Sequence, residues 1–161
     1  QDQYTVTAQK IGKEFVEALV RRHPDGCQVF AAGHSLGGGL AQHFAYSLPH
    51  SPLKSGAPVK VSKVYAFDPS PVTGWSCAGT VKHENVKGLE IDRAFEHGEV
   101  LAYIRLMVSY LHPPSAINPS IREVRFNLVP TWNPLRNHSM RLLAVALMDS
   151  ANLAKVATAS P

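Results

Sequence analysis

The sequence predicts an α/β fold, a mainly parallel sheet with helices on both faces. Two observations carry that prediction. Short apolar strands alternate with stretches of helical periodicity along the chain. In addition, the residues with chemical potential, Ser35, Asp68, Glu96, Glu99 and His138, each follow a predicted strand. Open parallel sheets bind their ligands at those carboxyl ends.

Taken in order, residues 5–22 have helical periodicity, with Val6, Ile11, Phe15, Ala18 and Leu19 on one face and Lys10, Lys13, Glu14, Glu17 and Arg21 opposite. His23-Pro24-Asp25-Gly26 breaks that helix and turns the chain. A strand is expected at 28–32. A helix with Leu40, Phe44, Ala45 and Leu48 at core spacing follows and stops at Pro49. Residues 49–58 read as a surface loop, and 59–67 as a strand ended by Asp68-Pro69. Residues 72–88 are irregular and hold Trp75. A third strand is expected at 89–95, an apolar helix at 100–111, and a fourth strand at 123–129 through Val124, Phe126 and Leu128. A proline-rich loop at 130–137 carries Trp132 and Leu135, and a last helix starts near Ser139 with Met140, Leu143, Leu147, Ala151 and Ala154 on one stripe.

The 161 residues are 45% hydrophobic, enough for one domain with a core. No apolar run reaches the roughly 18–20 residues that span a bilayer. The net charge of +4 comes without a basic cluster, which argues against nucleic acid as a partner. Cys27 and Cys77 lack metal-site spacing, and nothing in the chain calls for a metal or cofactor. The compartment is not legible.

The most informative stretch is Gly33-His34-Ser35-Leu36-Gly37, a G-x-S-x-G motif between a predicted strand and a predicted helix. That context makes it a nucleophile elbow, in which a strained turn lifts the serine hydroxyl above the sheet. Glycines flank the serine where neighbouring backbone approaches too closely for a Cβ. The amide of Leu36 then points to where an oxyanion would form. A serine hydroxyl needs a base, and the base needs an orienting carboxylate. With the nucleophile first, the acid and then the histidine follow along the chain. His138 is the one histidine after the fourth strand and precedes a helix, so it is the expected base. The acid stays open. Asp68 ends the second strand, Glu99 lies at a strand-to-helix turn beside Gly98, and Glu96 is the third candidate. His34 is expected to pack beside the elbow. Trp75, Trp132 and Leu135 are candidate contacts for an acyl chain, Met140 a residue of ordinary packing.

Gly33-His34-Ser35-Leu36-Gly37-Gly38 followed by Leu40-Ala41 resembles the elbow of the class 3, fungal-type lipases of the α/β-hydrolase superfamily. Val64-Tyr65-Ala66-Phe67 and the turn Ser70-Pro71-Val72-Thr73-Gly74 are similar to that family's next strand and turn. Glu99 and His138 stand where its acid and base are expected. Asp68 departs from the pattern, because a glycine is usual there; Asp68-Pro69 is similar instead to the turn of pancreatic-type lipases, whose acid follows this earlier strand. The resemblance implies a serine carboxylic-ester hydrolase, a lipase or phospholipase acting on an acyl lipid or ester, with a lipid surface as a further partner. A thioesterase or peptidase on the same fold and a non-catalytic binding scaffold are the alternatives. It also implies that the chain is the C-terminal part of one such domain, a partial α/β-hydrolase fold lacking the N-terminal strands. The missing strands and the second oxyanion donor would then come from another segment or a second chain, and the strand at 28–32 should have an open edge.

Overall fold

The computed structural model of the protein describes residues 2–50, 53–101, 104, 107, 119–129 and 131–159. Four strands, β1 (Val29–His34), β2 (Val61–Phe67), β3 (Glu90–Glu96) and β4 (Ser120–Phe126), form one sheet in the order β1-β2-β3-β4. Every pairing is parallel. The longer helices are α1 (Asp2–Arg22), α2 (Leu36–Ser47) and a final helix, Met140–Ala159; one-turn helices lie at Lys82–Asn85 and Pro134–Asn137. In chain order these become α3 for 82–85, α4 for 134–137 and α5 for 140–159. The α/β class expected from the alternating pattern is the class observed. Among the described residues no helix is long and apolar enough to cross a membrane.

One face of the sheet builds the core. Val64 and Ala66 of β2 and Ile91 of β3 are fully buried together with Val16 of α1 and Ala45 and Tyr46 of α2. The opposite face carries charge where it meets water: Lys63 bridges to Glu90 and Asp92, and Arg122 of β4 reaches Asp92 at 2.7 Å. The hydrogen bond from Arg122 is the main cause that holds the Asp92 carboxyl below its ordinary range.

Several boundaries and faces differ from the sequence expectation. The inward face of α1 is centred on Gly12, Phe15, Val16 and Leu19, and Ile11 is 51% exposed. The i, i+3, i+4, i+7 pattern runs through Gly12, whose missing side chain admits Pro49. Strand β4 begins three residues earlier than expected, because the charge at Arg122 finds its partner on β3 in Asp92 and Ser120 and Ile121 pair with Glu90 and Ile91. It also ends earlier, since the amides of Leu128 and Val129 leave the ladder for the Glu96 carboxylate. On α5, Leu143 is fully buried but Met140 and Ala151 are exposed. Most of the helix expected at 100–111 lies outside the described residues. Cys27 and Cys77 are free thiols.

The α1 face yields a stability prediction. Val16→Ala removes two methyl groups from a fully buried site and should cost about 1.5–3 kcal/mol. Ile11→Ala should stay within about 0.5 kcal/mol. Urea unfolding of both variants checks this; equal losses would contradict the assigned face.

Candidate active site

The site is assembled at the carboxyl ends of the strands. Ser35 follows β1 with φ 55 and ψ −123, one of two non-glycine residues at positive φ among those described; the other is Asp68 at φ 40. The elbow is stitched to the exit of β2. The Ser35 amide donates to the Phe67 carbonyl at 2.9 Å, and the Ser70 amide donates to the Ser35 carbonyl at 2.8 Å. A Cβ on Gly33 would run into the Gly37 backbone, and one on Gly39 into the Val72 carbonyl. At Gly37 a Cβ would meet nothing within 4 Å, so of the two glycines of the motif only Gly33 is crowded, and after Ser35 the close approach falls at Gly38 and Gly39. Leu36 opens α2, and its amide stands at the positive end of that helix.

His138 comes from a chain segment 103 residues away. Its position is set by short-range devices. Asn133 caps α4 by accepting from the amides of Leu135 and Arg136, with Pro134 at the first helical position. Buried Asn137 donates to the carbonyls of His97 and Thr131, tying the loop after β3 to the segment before the histidine. As a result, Nε2 of His138 lies 2.9 Å from Oγ of Ser35, and Nδ1 lies 2.8 Å from Oε2 of Glu99. Glu99 is fully buried, and the same oxygen accepts the Leu101 amide at 2.8 Å. A carboxylate at Nδ1 assigns the ring proton to that nitrogen, leaving Nε2 as the acceptor for the serine hydroxyl.

The three candidate acids separate here. Glu99 meets the histidine ring. Asp68 instead accepts the Glu96 amide at 2.9 Å and faces Nε2 of His34 at 3.7 Å. Glu96 accepts the amides of Leu128 and Val129 and so pins the chain as it leaves β4. Asn133, Asn137 and the contact of His34 with the His138 segment were not read from the sequence; of these only the Asn-Pro pair before α4 carried a local signal. Nε2 of His34 donates to the His138 carbonyl at 3.0 Å. Burial, more than any other cause, holds the His34 pKa below its ordinary value, and His138 adds to the lowering.

The aromatic candidates divide as well. The ring of Trp75 packs edge-on against Tyr46 with Lys82 over its face. Tyr46 lies about 15 Å along α2 from Leu36, so Trp75 is not brought to the Ser35 group. Trp132 and Leu135 are exposed on the segment that leads to His138. One set of donor atoms among the described residues is close enough for a cation, in His34, Asp68 and His138. Both ring nitrogens of His138 already have partners, so a cation there would have to displace Ser35 or Glu99.

A family model described as lipase (class 3) matches residues 1–96. The chain belongs to the class 3 lipase family. Membership puts it among lipase-like hydrolases, with lipid or ester as the substrate class. The matched stretch of this class 3 lipase chain contains Ser35 and Asp68 and ends with β3, before Glu99 and His138. No curated protein and no solved structure matches the chain.

The elbow geometry makes a prediction. Gly37→Ala, with open space at its Cβ, should be neutral to about 1 kcal/mol stabilising. Gly33→Ala should cost at least about 2 kcal/mol. Thermal unfolding of the two variants checks the contrast, and similar losses would contradict it.

Proposed function

We propose that this class 3 lipase chain is a serine carboxylic-ester hydrolase, of lipase or phospholipase type, working through an acyl-enzyme. The observation that carries the reading is the continuous line of hydrogen bonds from Ser35 through His138 to Glu99, at 2.9 and 2.8 Å. Oγ of Ser35 attacks the ester carbonyl carbon while its proton passes to Nε2 of His138. The tetrahedral intermediate collapses, the bond to the alcohol oxygen breaks, and His138 returns the proton to that oxygen. Water then attacks the acyl-enzyme with His138 as base, releasing the acid and restoring the serine. Glu99 holds the ring orientation and balances the imidazolium formed in each step.

The Leu36 amide is the oxyanion donor in this reading. Trp132 and Leu135, exposed beside the histidine segment, are the residues proposed to contact the acyl chain. Among the described residues β1 bonds to β2 alone, which leaves its other edge open. We read that edge as the seat of further strands, from a segment or second chain outside these residues, which would bring the second oxyanion donor. A strand edge whose backbone N–H and C=O groups have no strand partner among the described residues is the feature that asks for such a neighbour.

Two substitutions test the mechanism with a p-nitrophenyl ester. Ser35→Ala should abolish turnover while the chain stays folded; undiminished hydrolysis would reject the nucleophile. Glu99→Gln should lower kcat by roughly 10³–10⁴, the size expected for an orienting carboxylate. A loss below about tenfold would reject Glu99 as the acid.

A further inference from the structure

Asp68 stands outside the Ser35–His138–Glu99 line, yet it is held at some cost. Its side chain is fully buried, and burying a carboxylate is unfavourable unless neighbours compensate. Its backbone lies at φ 40, in the left-handed region that favours glycine. Strain of this kind gathers at functional sites. One carboxylate oxygen accepts the Glu96 amide at 2.9 Å, and the other faces Nε2 of His34 at 3.7 Å. His34 in turn donates to the His138 main-chain carbonyl at 3.0 Å, and the two rings lie 4.9 Å apart between centroids, tilted by 41°. A ring nitrogen of His34, a ring nitrogen of His138 and a carboxylate oxygen of Asp68 all fall within 4.8 Å of one another. The catalytic histidine therefore faces two carboxylates, Glu99 in direct contact and Asp68 slightly farther off.

We propose that Asp68 is a second, electrostatic carboxylate of the centre, with His34 as the residue that positions the His138 main chain beside it. The inference rests on the serine-hydrolase reading. When Ser35 passes its proton to His138, a positive charge appears on the ring. Glu99 balances it through a hydrogen bond. Asp68 balances it through space, at a separation where opposite charges still favour the ionised form in a buried setting. His34 has to remain neutral, because a second imidazolium would repel the first. Its burial favours that state. The titratable groups that face it among the described residues are Asp68 at the exit of β2 and His138 before α5. With a carbonyl as partner, the single proton of neutral His34 sits on Nε2.

A purely structural Asp68, one that only anchors the Glu96 amide, would affect stability and leave the titration of His138 unmoved. The distinguishing experiment is the pH profile of kcat/KM for p-nitrophenyl ester hydrolysis in Asp68→Gly and Asp68→Asn. Glycine suits φ 40, so Asp68→Gly removes the carboxylate while relieving the backbone, and the folded variant is available even if Asp68→Asn unfolds. Loss of the negative charge disfavours the imidazolium, so the base stays deprotonated to lower pH. The acid limb should move down by about one pH unit. The value of kcat should fall about tenfold with KM unchanged, in line with charge lost from the transition state.

For His34, glutamine keeps an N–H donor at similar reach and phenylalanine keeps only the ring. His34→Gln should recover most of the kcat that His34→Phe loses. An acid limb that stays in place in folded Asp68→Gly overturns the electrostatic role, and equal kcat in the two His34 variants overturns the positioning role. If Ser35→Ala retains hydrolysis, the serine-hydrolase reading falls and the inference with it. If hydrolysis needs Ser35 and the limb is unmoved, the inference alone falls.

Discussion

Ser35 at φ 55 occupies a conformation that a serine keeps only when its surroundings hold it there. Those surroundings are the end of β2: the Phe67 carbonyl takes the Ser35 amide, and the Ser70 amide takes the Ser35 carbonyl. Gly33 and Gly39 let the backbone close around the turn. Everything else at the rim is referenced to this anchored hydroxyl. Because the four described strands run parallel, their chain exits fall on the same edge of the sheet. That is how a histidine 103 residues away can reach hydrogen-bond distance of the serine.

Three buried carboxylates share the rim, and the backbone decides what each does. Glu96, the last residue of β3, has its carboxylate turned to the amides that leave β4. Asp68, one residue past β2, reaches sideways to the start of the turn after β3. Glu99 is set back by the turn His97-Gly98, where Gly98 has φ 72, and only from there does a carboxylate meet Nδ1 of His138. Placing three ionisable groups so close in a buried edge is tolerable because each is matched by amide or imidazole donors. The same arrangement ties the loops after β2, β3 and β4 into one unit, so His138 cannot shift without disturbing Glu99 and the turn at Ser35.

Much of this was legible in the sequence, and the rest was hidden for physical reasons. The elbow was readable because a strand, a tight motif and a helix are local features. His138 followed from chain order alone. The choice between Asp68 and Glu99 was not readable, because both follow strands and nothing along the chain measures the distance of either from His138. The short turn with Gly98 was the only local hint. The face of α1 is legible in part: Phe15 and Leu19 pack on the core as expected, but Ile11 is exposed, because the inward stripe runs through Gly12, which counts for nothing on a hydrophobicity scale yet whose bare backbone admits Pro49. The start of β4 is not legible along the chain because the charge at Arg122 is paired across strands with Asp92, a compensation that exists only in the fold. His34 read as packing, since its hydrogen bond goes to the main chain of a residue far away in sequence.

We propose that Ser35 is activated by His138 in the line that ends at Glu99. Reaction with a fluorophosphonate followed by peptide mass spectrometry tests it most directly. A single phosphonylated peptide, containing Ser35, should form in the unmodified protein and be lost in His138→Ala. Modification at another residue, or labelling of Ser35 that proceeds equally well without His138, would contradict it.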